Sequence, residues 1–193
     1  MSEFLVEMWV SPSPMERGRD VKVIDVLSYW EEKLETEFHD DPPIKAMLLN
    51  HLGTTYRRLG EYEKAESIMT ECLDFCRDTL GPDHLRTITV MIDLGILFSY
   101  DERFQEAETL FRDALNLGQR NLKHDNELVI YSKEQLADVL IRKAAFSEAK
   151  TLLQEAISVI REDEKLQYKF GPKVLLNLGN ILMHEEDFPG AEK

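Results

Sequence analysis

Cysteine is nearly absent from this 193-residue chain: only Cys72 and Cys76 occur, four positions apart. Two thiols make no disulfide framework, and a metal site needs more ligands than they provide. A pair at that spacing suits helix packing and fits a reduced, cytoplasmic setting. Long apolar runs are missing, since no stretch approaches the roughly 18 residues of a membrane span. The opening MSEFLVEMWVSPSP has no basic n-region and carries Glu3 and Glu7, so it does not read as a secretory signal. Positive charge is also short: 23 basic residues against 37 acidic ones leave a net charge of −14. Such a balance repels nucleic acid and anionic membrane and favours solubility.

Catalytic signatures are wanting too. No HExxH, GxGxxG, P-loop or GxSxG is found, and the histidines at 39, 51, 84, 124 and 184 have no ligand spacing. His84 beside Asp83 and His124 beside Asp125 recur near one kind of junction, where capping or solvation is their expected role. The acid pairs Glu31–Glu32 and Glu185–Glu186 are expected on solvated faces or turns, whereas catalytic carboxylates must face each other across a cleft. Neither an enzyme nor a cofactor is expected.

What the chain does have is a repeat. HLGTTYRRLGEYEKAE begins at His51, DLGILFSYDERFQEAE at Asp93, QLADVLIRKAAFSEAK at Gln135 and NLGNILMHEEDFPGAE at Asn177, each 42 residues after the last. Leu52, Leu94, Leu136 and Leu178 coincide, followed by Gly53, Gly95, Ala137 and Gly179. Tyr56, Phe98, Leu140 and Leu182 coincide next, then Tyr62, Phe104, Phe146 and Phe188, and finally Ala65, Ala107, Ala149 and Ala191. Within a copy, Leu49, Leu52, Tyr56 and Leu59 make one helical stripe, and Ala65, Ile68, Met69, Cys72, Leu73 and Cys76 a second. Gly60 between them is suited to leaving a helix. The unit is therefore helix, tight turn, helix. The small residues let paired axes approach to about 8 Å.

Glu102, Ala144 and Glu186 replace Gly60 in later copies, so those turns must close without glycine. At the first junction Gly81 ends a helix, Pro82 cannot continue one and Asp83 is the expected cap of the next. Asp125 stands in Asp83's place at the second junction. REDEKLQYKFGPKV keeps neither feature and is expected to be the least regular junction. One unit cannot bury its own apolar face, so stacked units share a core and form an all-α solenoid.

These residues resemble the tetratricopeptide repeat. Its family pattern of Leu, Gly and Tyr on a first helix and Ala on a second matches Leu52, Gly53, Tyr56, Ala65 and their equivalents. The 42-residue period, with LGPDH, is similar to the longer kinesin-light-chain-like subclass. The resemblance implies a right-handed solenoid of antiparallel helix pairs over residues 44–193, four repeats with the last truncated. Residues 20–43 read as a divergent capping helix with Val23, Val26, Leu27, Trp30 and Leu34 on one stripe and Pro42 and Pro43 ending it. Residues 1–19 read as an N-terminal segment and linker. The copy-four helix lacks a cover, so the chain is expected to be a piece of a longer protein with an apolar end open to self-association. The stretch from FLVEMW to EYEKAE also resembles segments that introduce such repeats in bacterial serine/threonine-kinase signalling proteins.

By resemblance, first helices line a concave peptide groove. The residues carried into it are Asn50, Thr54, Arg57 and Arg58 from copy one and Thr89, Ile92 and Ile96 from copy two. Tyr131, Glu134, Asp138 and Arg142 come from copy three, and Lys173 and Asn180 from copy four. Met47, Ser99, Tyr100, Ile141, Leu176, Met183 and His184 fall on the same faces. The mix suits an extended peptide held by hydrogen bonds and small pockets. Where the chaperone-tail-binding relatives clamp a carboxylate with Lys and Asn, this chain has Asn50 and Thr54, so that clamp is absent or altered. Arg57, Arg58, Arg142 and Lys173 suit acidic or phosphorylated residues of a ligand. Ordinary helix pairing, such as Arg57 with Glu61, is the competing role.

Overall fold

The computed structural model describes residues 23–37, 41–123 and 126–187. The segment before Val23, the pair His124–Asp125 and the Phe188 and Ala191 positions of the fourth copy lie outside the described residues. The described residues form α1 (Val23–Glu37), α2 (Pro42–Arg58), α3 (Tyr62–Thr79), α4 (Leu85–Tyr100), α5 (Phe104–Asn121), α6 (Glu127–Arg142), α7 (Phe146–Ile160) and α8 (Glu164–Asp187). No strand occurs among them. The chain is an all-helical solenoid, as its repeat implies.

Each helix starts and stops for a local reason. The Asp41 carboxylate accepts from Ile44 N at 3.2 Å and caps α2. Pro42 and Pro43 occupy that helix's first turn, where a missing N–H costs nothing. They open α2 instead of merely ending α1. Three turns 42 residues apart close alike: Glu61 N donates to Tyr56 O (3.0 Å), Arg103 N to Phe98 O (2.8 Å) and Ala145 N to Leu140 O (2.8 Å). The residue before each donor is left-handed: Gly60 (φ 83°), Glu102 (φ 59°) and Ala144 (φ 58°). The turns do close without glycine. At the fourth equivalent no such turn forms, because α8 runs through Glu186 to Asp187.

The junctions correct two expectations. Gly81 (φ 96°) does end α3, but the cap of α4 is His84, whose Nδ1 accepts from Arg86 N at 3.1 Å, and not Asp83. Its counterpart one period on, Asn126, caps α6 by accepting from Leu128 N at 3.0 Å. The third junction is short, not irregular. Asp163 Oδ1 accepts from Lys165 N (2.7 Å) and Leu166 N (3.2 Å), starting α8 a turn early. The helix then runs 24 residues straight through Pro172.

The core runs the length of the array. Met69 packs into the notch at Gly53 and Phe111 into that at Gly95, so close that a Cβ would lie 2.5 Å and 2.7 Å from them. Phe111 is fully buried, a burial that contributes about 2–3 kcal/mol. Trp30 and Leu34 of α1 are buried against the start of the array, and Lys64 reaches from α3 to Glu31 at 2.6 Å.

Successive first helices (α2, α4, α6, α8) pack directly on one another, while successive second helices barely meet. The stack is therefore tighter on the first-helix side, and that side is the inner, concave one. On the outer side long ion pairs span the gaps: Arg103 grips Glu66 (2.5 Å) as well as Glu106 (2.6 Å), and Arg112 grips Glu148 (2.7 Å) and Glu108 (2.8 Å). The hydrogen bond to Arg103 holds the exposed Glu106 carboxyl below its ordinary range.

Candidate functional site

Residues at i, i+3, i+4, i+7 and i+11 share one face of a helix. On α2 these are Met47, Asn50, His51, Thr54 and Arg58, and all of them line a groove of about 700 Å³ on the inner side. The equivalent face of α4 adds Thr89, Asp93, Ile96 and Tyr100, that of α6 adds Tyr131, Gln135, Asp138 and Arg142, and α8 adds Lys173. Arg57, Ser99, Arg86 and Glu102 complete the rim. Three successive units thus build one cleft, and the fourth adds Lys173 to it.

Most of the residues carried over from the sequence come together here, and three do not. Ile92 is 1% exposed and belongs to the core. Glu134 is buried at 3% and is tied to Lys173 at 2.7 Å. Asn180 is half-buried on α8, away from the groove. The reason lies in register. Positions 92 and 134 sit where neighbouring first helices press together and are buried out of the groove, while Asn50, the first copy's equivalent, is buried but still lines it. The next register, His51, Asp93 and Gln135, lines the groove in all three copies. A polar residue before the repeating leucine in all four copies was the sequence signal for it.

The cations differ in how they are used. Arg142 Nε meets Asp138 at 3.1 Å and Lys173 meets Glu134, so both charges are compensated within the array. Arg57 and Arg58 have no carboxylate partner among the described residues, and the alternative pair with Glu61 is not formed. The Arg57 guanidinium instead lies over the Tyr100 ring, 5.0 Å from its centroid, with Nε buried and unpartnered. With Arg86, they put arginines without an ion-pair partner among the described residues at the α2–α4 end of the groove.

Between these cations lies Asp93, which accepts from Asn50 Nδ2 at 2.6 Å. Burial pushes its carboxyl above the ordinary range, opposed by that hydrogen bond and by Arg57, His51 and Arg58. Tyr131, across the groove on α6, is pushed up to about 12, chiefly by burial. The cysteines are buried packing groups: Cys72 donates to Ala46 O at 3.3 Å, and its bond with Cys76 together with burial raises its thiol. No group of His, Cys, Asp and Glu among the described residues is arranged to hold a metal. No described helix is long and apolar enough to cross a membrane.

Residues 45–120 match the family model described as tetratricopeptide repeat. Over those residues the array carries tetratricopeptide repeats. Among solved structures, BtubC (BKLC) from P. vanneervenii superposes with a TM-score of 0.78 at 17% identity, over 98% of this chain and 76% of that one. A putative kinesin light chain with nearly identical TPR-like repeats, from Podosopora anserina, gives 0.61 at 14% identity over 80% of this chain and 81% of that one. A substituted form of the same protein gives the same figures. Likeness at such identity shows the shared tetratricopeptide fold and nothing finer. No curated protein matches the sequence. The tetratricopeptide fold is, in general, that of a protein–protein interaction module.

Proposed function

We propose that this tetratricopeptide array is a non-catalytic interaction module that binds an extended peptide or protein segment along its concave groove. The observation that carries the reading is the groove itself. First helices of three units converge on one cleft whose floor mixes apolar residues (Met47, Ile96), amides (Asn50, Gln135) and arginines without carboxylate partners. Such a surface satisfies a main chain and holds an acidic or phosphorylated side chain at the Arg57–Arg58–Arg86 end. A cytoplasmic setting fits the reduced, buried cysteines.

The test is selection of random dodecapeptides on the chain, followed by affinity measurement on two variants. Arg57→Glu/Arg58→Glu should weaken binding by about tenfold or more, because these charges face the cleft free. Arg142→Glu should do less, because Asp138 already neutralises that arginine. Selected peptides indifferent to the first variant would place binding elsewhere.

A second reading, assembly within a larger signalling protein of the kinase-bearing type, is favoured by α8. Leu175, Leu176, Leu182 and Met183 are exposed on it. Sedimentation across micromolar concentrations tests this: association lost in Leu175→Ser/Leu182→Ser supports it, and a monomer throughout ends it.

A further inference from the structure

Asn50 reaches the groove floor from α2 and Asp93 from α4, and one hydrogen bond joins them, Nδ2 donating to Oδ2 at 2.6 Å. An amide has a donor end and an acceptor end, and committing one decides where the other points. Asn50 Oδ1 is buried and has no partner. An ionised carboxylate only accepts, so the reversed amide would set oxygen against oxygen. Two turns along the same face of α2, about 10 Å away, Arg57 Nε is also buried without a partner. Unpaired buried polar atoms of this kind call for an explanation, and both residues line the groove.

We infer that Asp93 is a positioning residue that sets the polarity of the groove floor: it holds the Asn50 amide with its oxygen free, so a bound segment must present an N–H donor there. The inference rests on the groove being the binding site. It goes further in naming a residue that selects the ligand's hydrogen-bonding pattern through its hold on another side chain.

Asp93 does this against the interest of the fold. Burial is the largest influence on its carboxyl and raises it, while the Asn50 bond and Arg57, His51 and Arg58 on α2 pull the other way. From other helices Cys72 on α3 and Tyr131 on α6 face it, and both feel its charge. A carboxyl raised by folding is one whose ionised form the fold disfavours. Its contribution is most favourable in acid and is lost as pH rises through the folded value. In acid the protonated group becomes a donor, the Asn50 amide can reverse, and the floor then offers Nδ2 in place of Oδ1.

The experiment compares the parent chain with Asp93→Asn, using dodecapeptides selected on the parent from a random library. Binding is followed by fluorescence anisotropy at pH 7 and in steps downward to the onset of acid unfolding, with urea unfolding of the same samples. The side-chain amide of Asn50, assigned by its loss in Asn50→Asp, is followed by nitrogen–proton correlation spectra. The variant should unfold at the same or higher urea at pH 7, yet bind about tenfold more weakly, the size of effect of one charge-assisted hydrogen bond. The parent should lose affinity on acidification while the variant does not; both keep His51, so its contribution cancels. The Asn50 amide signal should move with pH in the parent alone. A variant that binds as tightly as the parent overturns the inference and leaves the groove reading intact, as does an amide signal indifferent to pH. Failure of every peptide to bind the parent overturns both.

Discussion

Ala144 and Glu102 do with a side chain what Gly60 does without one. Their φ angles of 58° and 59° lie in the region that crowds Cβ against the following carbonyl. The closing bonds from Ala145 N and Arg103 N impose the conformation, since each saves a carbonyl that the helix end would orphan. The strain is therefore maintained by the turn, and glycine should relieve it. Left-handed backbone costs an L-residue about 1–2 kcal/mol, and glycine's freer unfolded chain returns up to about 1 kcal/mol of that. Ala144→Gly is thus expected to stabilise the array by about 0.5–1 kcal/mol, and Gly60→Ala to destabilise it by about as much. Urea midpoints with an unchanged slope would measure both. A loss of stability in Ala144→Gly would mean that the turn is not held as described. The sequence made the missing glycines visible at these offsets. It did not show what replaces them, because the αL geometry is dictated by the hydrogen bonds of the closed turn and not by the residue.

Elements differ according to what lies on them. Gly53, Gly95 and Gly179 occupy one register, yet a Cβ at Gly95 would meet Phe111 at 2.7 Å and one at Gly179 would meet nothing within 4 Å. The small residue in each copy is a notch for a crossing helix, and α8 has an open notch among the described residues. Gly95→Ala should therefore cost about 1–3 kcal/mol by overpacking, while Gly179→Ala should be neutral or gain up to about 1 kcal/mol of helix propensity. Thermal unfolding of the two variants decides it: equal losses would show that α8 carries a cover too.

The same comparison explains how far the sequence could be read. Periodicity located the helix pairs, the notches and the Ala contacts, because those depend on spacing within a unit. The carry-over from the family pattern put Ile92 and Glu134 in the groove, but they are buried. Their burial depends on how tightly one first helix leans on the next, a property of curvature that no single copy encodes. REDEKLQYKFGPKV read as the least regular junction, yet α8 begins within it and runs on through Pro172. Pro172 leaves the Tyr168 carbonyl without its helical donor, and the helix continues past it to Asp187.

At the scale of the whole molecule, a groove edged by Arg57, Arg58 and Arg86 belongs to a chain of net charge −14. The two facts act over different distances. At about 0.15 M salt the field of the whole chain decays over about 8 Å, while contacts inside the cleft are screened far less. An acidic peptide approaching from solution therefore meets repulsion first and the arginines last. Its association should be slow for a peptide and should speed up several-fold as salt is raised from about 50 to 300 mM, because salt removes the long-range barrier. Dissociation should speed up over the same range as the arginine contacts weaken, so the equilibrium constant should change much less than either rate. Stopped-flow mixing with a selected acidic dodecapeptide separates the two rates. Association that slows with salt would mean that the groove's local charge governs the approach and that the bulk of the acidic surface faces away from it. Association that quickens would instead show the acidic surface acting as a filter. It would slow every acidic encounter and leave bound only those segments whose charge reaches the α2–α4 end of the groove.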